Sequence, residues 1–413
     1  SGRPSPGPSD IPQLRGMSYT YQRSDGNRVV EGQGVLPQVA PIDVPLSGRP
    51  SWVIGAPVAA GILWIAVMEN GEVQSFEVAN GVATPRDFSP QLLPPGMPPA
   101  LAILDGQVSF LTAPDNAAPE NTVSVTTNPV MLPASGRTAY IESSGAVVVG
   151  TGSDWERFFA NALPDGRLLV DENERLLFLS HPTRRYRHGV LGDDIEAAGI
   201  TMLNTKNPRN GVLTIFLSDQ DVVEGLAPIW ADLDGDGERE IVVTLSNAAE
   251  GARIAVFRED GEEIASGPSV GQGFRWRHQL AVAAFGPEGQ VELADVLTPH
   301  IGGVVEFYRL ENGELKVMAR VPGHTSHVLG SRNLDMAVAG DWDSDGRVEL
   351  LIPTQNRDEL SGIRRIAGGA EVVWSLPVGG RISTNIGVVT HSDGGLSVAV
   401  GREDRVLRIW PAP

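Results

Sequence analysis

Asp232-Leu-Asp-Gly-Asp-Gly-Glu-Arg-Glu240 and Asp341-Trp-Asp-Ser-Asp-Gly-Arg-Val-Glu349 decide how the rest of the chain is read. Each places carboxylates at loop positions 1, 3, 5 and 9 and glycine at position 6, and each runs straight into an apolar stretch. Alternate carboxylates on a tight turn converge on one hard cation, and calcium accepts about six to eight oxygens with loose geometry. The candidate ligands are Asp232, Asp234, Asp236 and Glu240 in the first loop, and Asp341, Asp343, Asp345 and Glu349 in the second. The backbone carbonyls of Glu238 and Arg347, at position 7, complete the sets. Without a cation the clustered carboxylates repel, so binding is expected to order each loop. An EF-hand is excluded, because it needs flanking helices and a bidentate Glu at position 12. Here that position is Val243 or Ile352, inside an apolar run.

The same frame recurs along the chain in degenerate form. Glu288-Gly289 precedes Glu292-Leu-Ala-Asp-Val, but its positions 1 and 3 are Ala284 and Gly286, so it reads as a turn without metal. Serine replaces the final carboxylate after Asp393-Gly394, Asp105-Gly106 and Ser47-Gly48. Ser144-Gly145 and Gly192-Asp-Asp-Ile-Glu196 are looser copies. From Gly48 to Gly394 the markers fall 39 (Gly106 to Gly145) to 58 (Gly48 to Gly106) residues apart, the period of propeller blades. Asn70-Gly71, Asp260-Gly261 and Asn312-Gly313 each separate two apolar runs, and such pairs supply the positive φ of tight hairpins. The expected fold is an all-β propeller of four-stranded antiparallel blades. The markers count eight blades, and the irregular stretch Ser135–Pro182 leaves seven as the alternative. Tyr19–Gln33 has a short β-like pattern and is expected to close the ring beside Val406–Trp410. Residues 1–16, rich in Pro, Ser and Gly, read as a flexible leader, and 17–413 as one propeller domain.

Composition narrows the function. The 413 residues carry a net charge of −19, which argues against nucleic-acid or anionic-membrane binding. There is no cysteine, so disulfides, thiolate metal sites and cysteine nucleophiles are excluded. The apolar stretch Ser51–Met68 carries Gly55, Pro57 and Gly61 and is shorter than the ~20 residues of a spanning helix. It reads as two buried strands and a turn.

The two acidic loops resemble those of the FG-GAP/VCBS-repeat propellers, the architecture of integrin α-subunit heads. The resemblance is carried by Pro228–Val243 and Asp335–Ile352, with weaker echoes across residues 40–410. It implies calcium between the first two strands of a blade, held by the eight carboxylates named above. The chain departs from the family in having few intact copies, and Phe285-Gly286-Pro287 is only a remnant of the Phe-Gly signature.

Arg187, His188, Arg277, His278, Arg332 and Arg381 lie just before the first strands of several units. On a propeller these positions gather at the channel mouth opposite the calcium loops, as a collar able to bind an anionic sugar. Inter-blade salt bridges are the plainer reading of the same residues. His324 and His327 read as a turn with two solvent-exposed histidines, since no third ligand follows at metal-site spacing. Asp193-Asp194-Ile-Glu196 reads as a shortened turn rather than an acid/base pair. No serine elbow, zinc-protease helix or phosphate loop is present.

The function expected from these features is non-enzymatic: an extracytoplasmic, calcium-stabilised scaffold, secreted or attached to the cell envelope, with a protein or envelope complex as partner. A lectin or polysaccharide lyase using the collar is the alternative, and a quinoprotein dehydrogenase is a third. An open cleft at the channel face favours an enzyme or lectin, whereas a plugged face favours a scaffold.

Overall fold

The computed structural model describes residues 15–113, 123–208 and 211–412; most of the expected leader lies outside them. The leader boundary moves forward, because a strand already begins at Arg15. The structure is all-β, and most of its strand pairs are antiparallel neighbours along the chain, whereas Val29–Gln33 pairs in parallel with Val338–Asp341. Pro50–Val58 and Gly61–Met68 are the two strands expected for the long apolar stretch, followed in one sheet by Val73–Ala79 and Val82–Pro85. Further sheets are built on Ala100–Leu104, Val130–Met131, Arg277–Ala283, Val338–Asp341 and Gly387–Thr390 as first strands. A nine-stranded sheet holds both Leu169–Val170 and Ile229–Ala231, its halves joined where Val222–Val223 pairs with Ala197 and Leu245.

Burial explains why the second strands lack polar alternation. Gly61–Met68 and Glu240–Asn247 are buried at nearly every position, because both faces pack on neighbouring sheets. Outer strands such as Val82–Pro85 are mostly exposed. Apolar clusters fill the gaps between sheets. One joins Leu280, Val305 and Phe307 to Leu350 and Ile352, and another joins Val53 and Trp64 to Val389 and Ile409. The latter packs the first complete sheet against the last.

Two expectations about the repeat are corrected. The strand that pairs with Val406–Trp410 is Ile42–Pro45, and Tyr19–Gln33 does something else. The turns at Gly106, Gly237, Gly289, Gly346 and Gly394 do join the first and second strands of their units, but three markers are out of frame. Gly48 precedes a first strand, and Gly145 and Gly192 join second to third strands. Gly145 and Gly192 have the same positive φ as the in-frame glycines, so a left-handed glycine marks a turn without saying which strands it joins, whereas Gly48 is not left-handed.

Residues 15–34 run around the inside of the structure and touch the first strands in chain order. Ser18 donates to Gly55 O, and Arg15–Tyr19 pairs with Ala100–Leu104. Met131 N–H donates to the Tyr19 hydroxyl, Val170 N–H to Ser24 O and Trp230 N–H to Asp25 O. Asn27 exchanges hydrogen bonds with Val282, Ala339 N–H donates to Arg28 O, and Thr390 donates to Glu31 O. The fit is close. A Cβ at Gly26 (φ +80) would lie 2.7 Å from Pro228 O, and one at Gly32 (φ +130) 2.4 Å from Gly394 O.

Candidate metal centres and the channel face

In the first acidic loop, ligand oxygens of Asp232, Asp234 and Glu240 lie within 4.8 Å of one another; in the second, those of Asp341, Asp343 and Glu349 do so. The two loops share a backbone shape, with positive φ at Gly235 and Ser344 and again at Gly237 and Gly346. Backbone amides fold each loop onto its own carboxylates. Asp232 accepts from Gly235 N–H (2.6 Å) and Gly237 N–H (3.0 Å), and Asp341 from Gly346 N–H (3.1 Å). The ninth-position glutamates project from the start of the following strand and accept from Leu233 N–H (2.8 Å) and Trp342 N–H (3.1 Å). Asp236 and Asp345 stand outside the two clusters; the carbonyl-bearing residues Glu238 and Arg347 lie on the same turns.

Both sites hold a carboxyl that burial and neighbouring acids raise, and in the second Arg364 supplies a counter-charge. Burial, reinforced by Asp234 and Asp236, raises the Glu240 carboxyl above its usual range. Burial pushes Glu349 up to about 7, with Asp343 adding and Arg364 opposing. Asp341 Oδ1 and Asp343 Oδ1 are buried without a hydrogen-bond partner among the described residues. An all-oxygen donor set with unpartnered carboxylate atoms suits a hard divalent ion. The residues fit calcium.

The proposed collar does not assemble as one site. Arg187 is largely exposed, 3.8 Å from Asp194, and Arg381 is exposed. Arg332 is bound by Asp165 (2.9 Å) and Asp193 (2.7 Å). Arg277 turns into its own sheet, where its guanidinium meets Asp295 (3.2 Å), Glu306 and the Tyr308 hydroxyl, all buried. His188 pairs with buried Glu224, and His278 is buried against Trp276, with ring centroids 5.0 Å apart. A cavity of 280 Å³ does open on this face, lined by Arg49, Arg332, Asn333, Arg357 and Ser383 among others. That is small for a ligand pocket. The Asp193–Glu196 stretch acts as a turn: Asp193 accepts from Ile195 N–H, and Glu196 opens a strand with its carboxyl pushed up to about 10 by burial and by Glu224.

The expectation of exposed histidines at the 324–327 turn is overturned, since His324 and His327 are both buried. Trp276 stacks on His300 as well as His278, and His327 meets its edge. His327 Nε2–H donates to Ser331 O (2.7 Å), leaving Nδ1 to accept from His300 Nε2–H (2.8 Å). Burial pushes His300 down to about 4 and His327 to about 3. The unfolded chain protonates these rings near pH ~6.5, whereas the fold holds them neutral. Acidification from about pH 7 to about pH 5 is therefore expected to lower the thermal midpoint. His327→Gln should flatten that dependence in a calorimetric series, and an unchanged slope would remove the cluster as its cause.

Sequence reasoning missed the polar centre of the molecule. Asp335, fully buried, accepts two hydrogen bonds from Arg167 (2.8 Å each), one from Arg28 Nε (3.0 Å) and one from the Thr20 hydroxyl (2.8 Å). The Arg167 guanidinium lies over the Tyr21 ring, 4.7 Å from its centroid. Arg28 also donates to Leu280 O at 3.2 Å. This network pins residues 20–28 against the first strands. The only local signal is that Arg28 and Asp335 are charged residues beside apolar runs.

No protein-family model and no curated protein matches the chain. A europium-containing methanol dehydrogenase superposes with a TM-score of 0.56 at 10% identity, over 92% of this chain and 88% of that one. Virginiamycin B lyase from Staphylococcus aureus gives a TM-score of 0.45 at 10% identity, over 91% of this chain and 100% of that one. The WD40 β-propeller domain of Doa1 gives 0.44 at 10% identity, over 90% and 95%. At this identity the first likeness bears on the fold alone. The chain folds as a β-propeller.

Proposed function

We propose that the chain is a calcium-stabilised, eight-bladed propeller of the FG-GAP/VCBS type that works outside the cytoplasm as a non-enzymatic binding scaffold, alone or as a subunit of an envelope complex. The observation that carries this reading is the segment 15–34, which runs along the inner first strands and is fastened there by Asp335, Arg28 and Arg167. A propeller enzyme commonly uses an open central cleft; here backbone and buried ion pairs divide that space, leaving separate cavities of 370, 460 and 410 Å³ beside residues 17–31. The dispersal of Arg187, Arg277 and Arg381 to separate environments supports the same reading.

The blade count rests on taking the nine-stranded sheet as two blades that share Val222–Val223. The first strands touched by residues 15–34 then number eight, and Ile42–Pro45 closes the last blade. The acidic loops between first and second strands support the calcium assignment, since calcium there would brace blade corners away from the opposite face. A protein partner fits an acidic propeller surface better than nucleic acid does.

Co-elution of the purified chain with a stoichiometric protein captured from its native envelope tests the proposal. Saturable binding to an anionic-glycan array, lost in Arg332→Ala, would replace it with a lectin. Unsaturated products from an anionic polysaccharide would establish a lyase, and a bound chromophore in the visible spectrum would restore the quinoprotein reading. Arg277→Ala is expected to destabilise the fold rather than to act on glycan binding, because it strands buried Asp295 and Glu306.

A further inference from the structure

The two acidic loops share a backbone but not an electrostatic partner. In the second, Arg364 Nη2 lies 2.8 Å from Asp343 Oδ2, 2.9 Å from Asp345 Oδ2 and 2.7 Å from Glu349 Oε1. Arg364 Nε donates to the same Glu349 oxygen at 2.8 Å. The aim comes from strand register, since Arg364 sits directly opposite Glu349 where Glu349–Pro353 pairs with Glu359–Ile366. That strand runs two residues past Arg364 before its hairpin, which keeps the arginine inside the sheet.

The corresponding residue beside the first loop is Arg258, one step beyond the Ile241–Phe257 pair. Its strand ends at Phe257, so Arg258 falls in the hairpin and donates to Glu262 at 2.7 Å, about half exposed. Arg239, within the first loop, points to Glu172 (2.7 Å) and lies over the Trp230 ring. Among the described residues no guanidinium is recorded on Asp232, Asp234 or Glu240.

A guanidinium has only donors and cannot ligate a metal, and two cations sharing one carboxylate oxygen repel strongly at short range. Asp343 and Glu349 are needed by both. We infer that Arg364 is a built-in competitor of calcium, making the loops unequal: the first binds readily, and the second takes an ion only as Arg364 leaves Asp343 and Glu349. This rests on reading the loops as calcium sites. It makes the second loop a calcium-dependent switch of a blade corner, where the Arg364 side chain is released when the ion enters.

Calcium titration calorimetry on the full chain tests the inference. The wild type should show two steps at least tenfold apart in affinity; Asp234→Ala should remove the tighter and Asp343→Ala the weaker. Arg364→Gln should tighten the weaker step about tenfold or more and leave the other unchanged. In chelator the same variant should melt below wild type, since its carboxylates lose their counterion, yet gain more on adding calcium. Arg364→Lys keeps the charge but loses the planar fork that holds Glu349 through two nitrogens; it should fall between the two and serves if the Gln variant does not fold. Two equal wild-type steps, or a second step unchanged or weakened in a folded Arg364→Gln protein, would overturn the competition while leaving calcium binding intact. No calcium uptake by any variant would refute the calcium reading itself, and this inference with it.

Discussion

Asp335→Ala is expected to cost about 3–5 kcal/mol of stability, the magnitude found when one partner of a buried ion network is removed. Asp335 is the shared acceptor of Arg28, Arg167 and Thr20. Burial alone would raise its carboxyl, but Arg167 and Arg28 overcome that and hold it below the usual carboxylate range. Without it, two buried guanidiniums face each other with no counterion. Burial already lowers the Arg28 guanidinium despite the presence of Asp335. Asp335→Asn keeps the shape and the Thr20 contact, so its loss should be smaller. Urea unfolding followed by circular dichroism is the check, and an Ala variant within about 1 kcal/mol of wild type would mean the network contributes little net. Because each first strand leans on residues 15–34, deleting that segment should prevent folding rather than merely loosen a terminus.

Calcium removal should produce the second large effect. An ion at ~100 times its dissociation constant stabilises the folded state by about 2.7 kcal/mol, so two sites together give about 5 kcal/mol. Asp234→Ala and Asp343→Ala should each remove one ion per chain by metal analysis, and the double variant should melt like the chelated wild type. The effect has a pH signature. Glu240 and Glu349 are raised in the folded chain, Glu349 to about 7, so in the chelated protein they favour folding below about pH 4.5 and oppose it as pH rises toward 7. Chelation is therefore expected to destabilise more at about pH 7.5 than at about pH 5. An identical melting curve with and without chelator across that range would end the structural role of the metal.

The acidic loops were readable in advance because everything that forms them is local. Carboxylate spacing, the position-6 glycine and the strand that follows lie within nine residues, and their geometry depends little on the rest of the chain. The hairpins at Asp260-Gly261 and Asn312-Gly313 were readable for the same reason. Frame was not. Gly145 and Gly192 satisfy the same turn chemistry one hairpin further out, and only the pairing of Val147–Thr151 and Glu196–Asn204 with their neighbours separates the cases. The histidines misled in another way. His324-Thr-Ser-His327 has the polarity of a surface turn, yet His327 is buried against Trp276 and His300, which the preceding sheet brings back from earlier in the chain.

The amino-acid sequence by itself determined the all-β repeat, the positions of most of its tight turns and two acidic loops that could hold a metal ion. Tertiary structure decided which strand lies beside Val406–Trp410, what fills the channel, and how the two loops differ. Ile42–Pro45 takes the edge position expected of Tyr19–Gln33, because Val29–Gln33 is already paired in parallel with Val338–Asp341. Asp335 meets Thr20 across 315 residues and Arg167 across 168, and no short-range pattern encodes such pairs. Arg364 aims at the second loop, whereas Arg258 turns away from the first, because one strand continues past its arginine and the other stops short. A difference of three residues in where the strand ends thus separates an acidic loop that carries a guanidinium on its carboxylates from one whose matching arginine turns to its own hairpin.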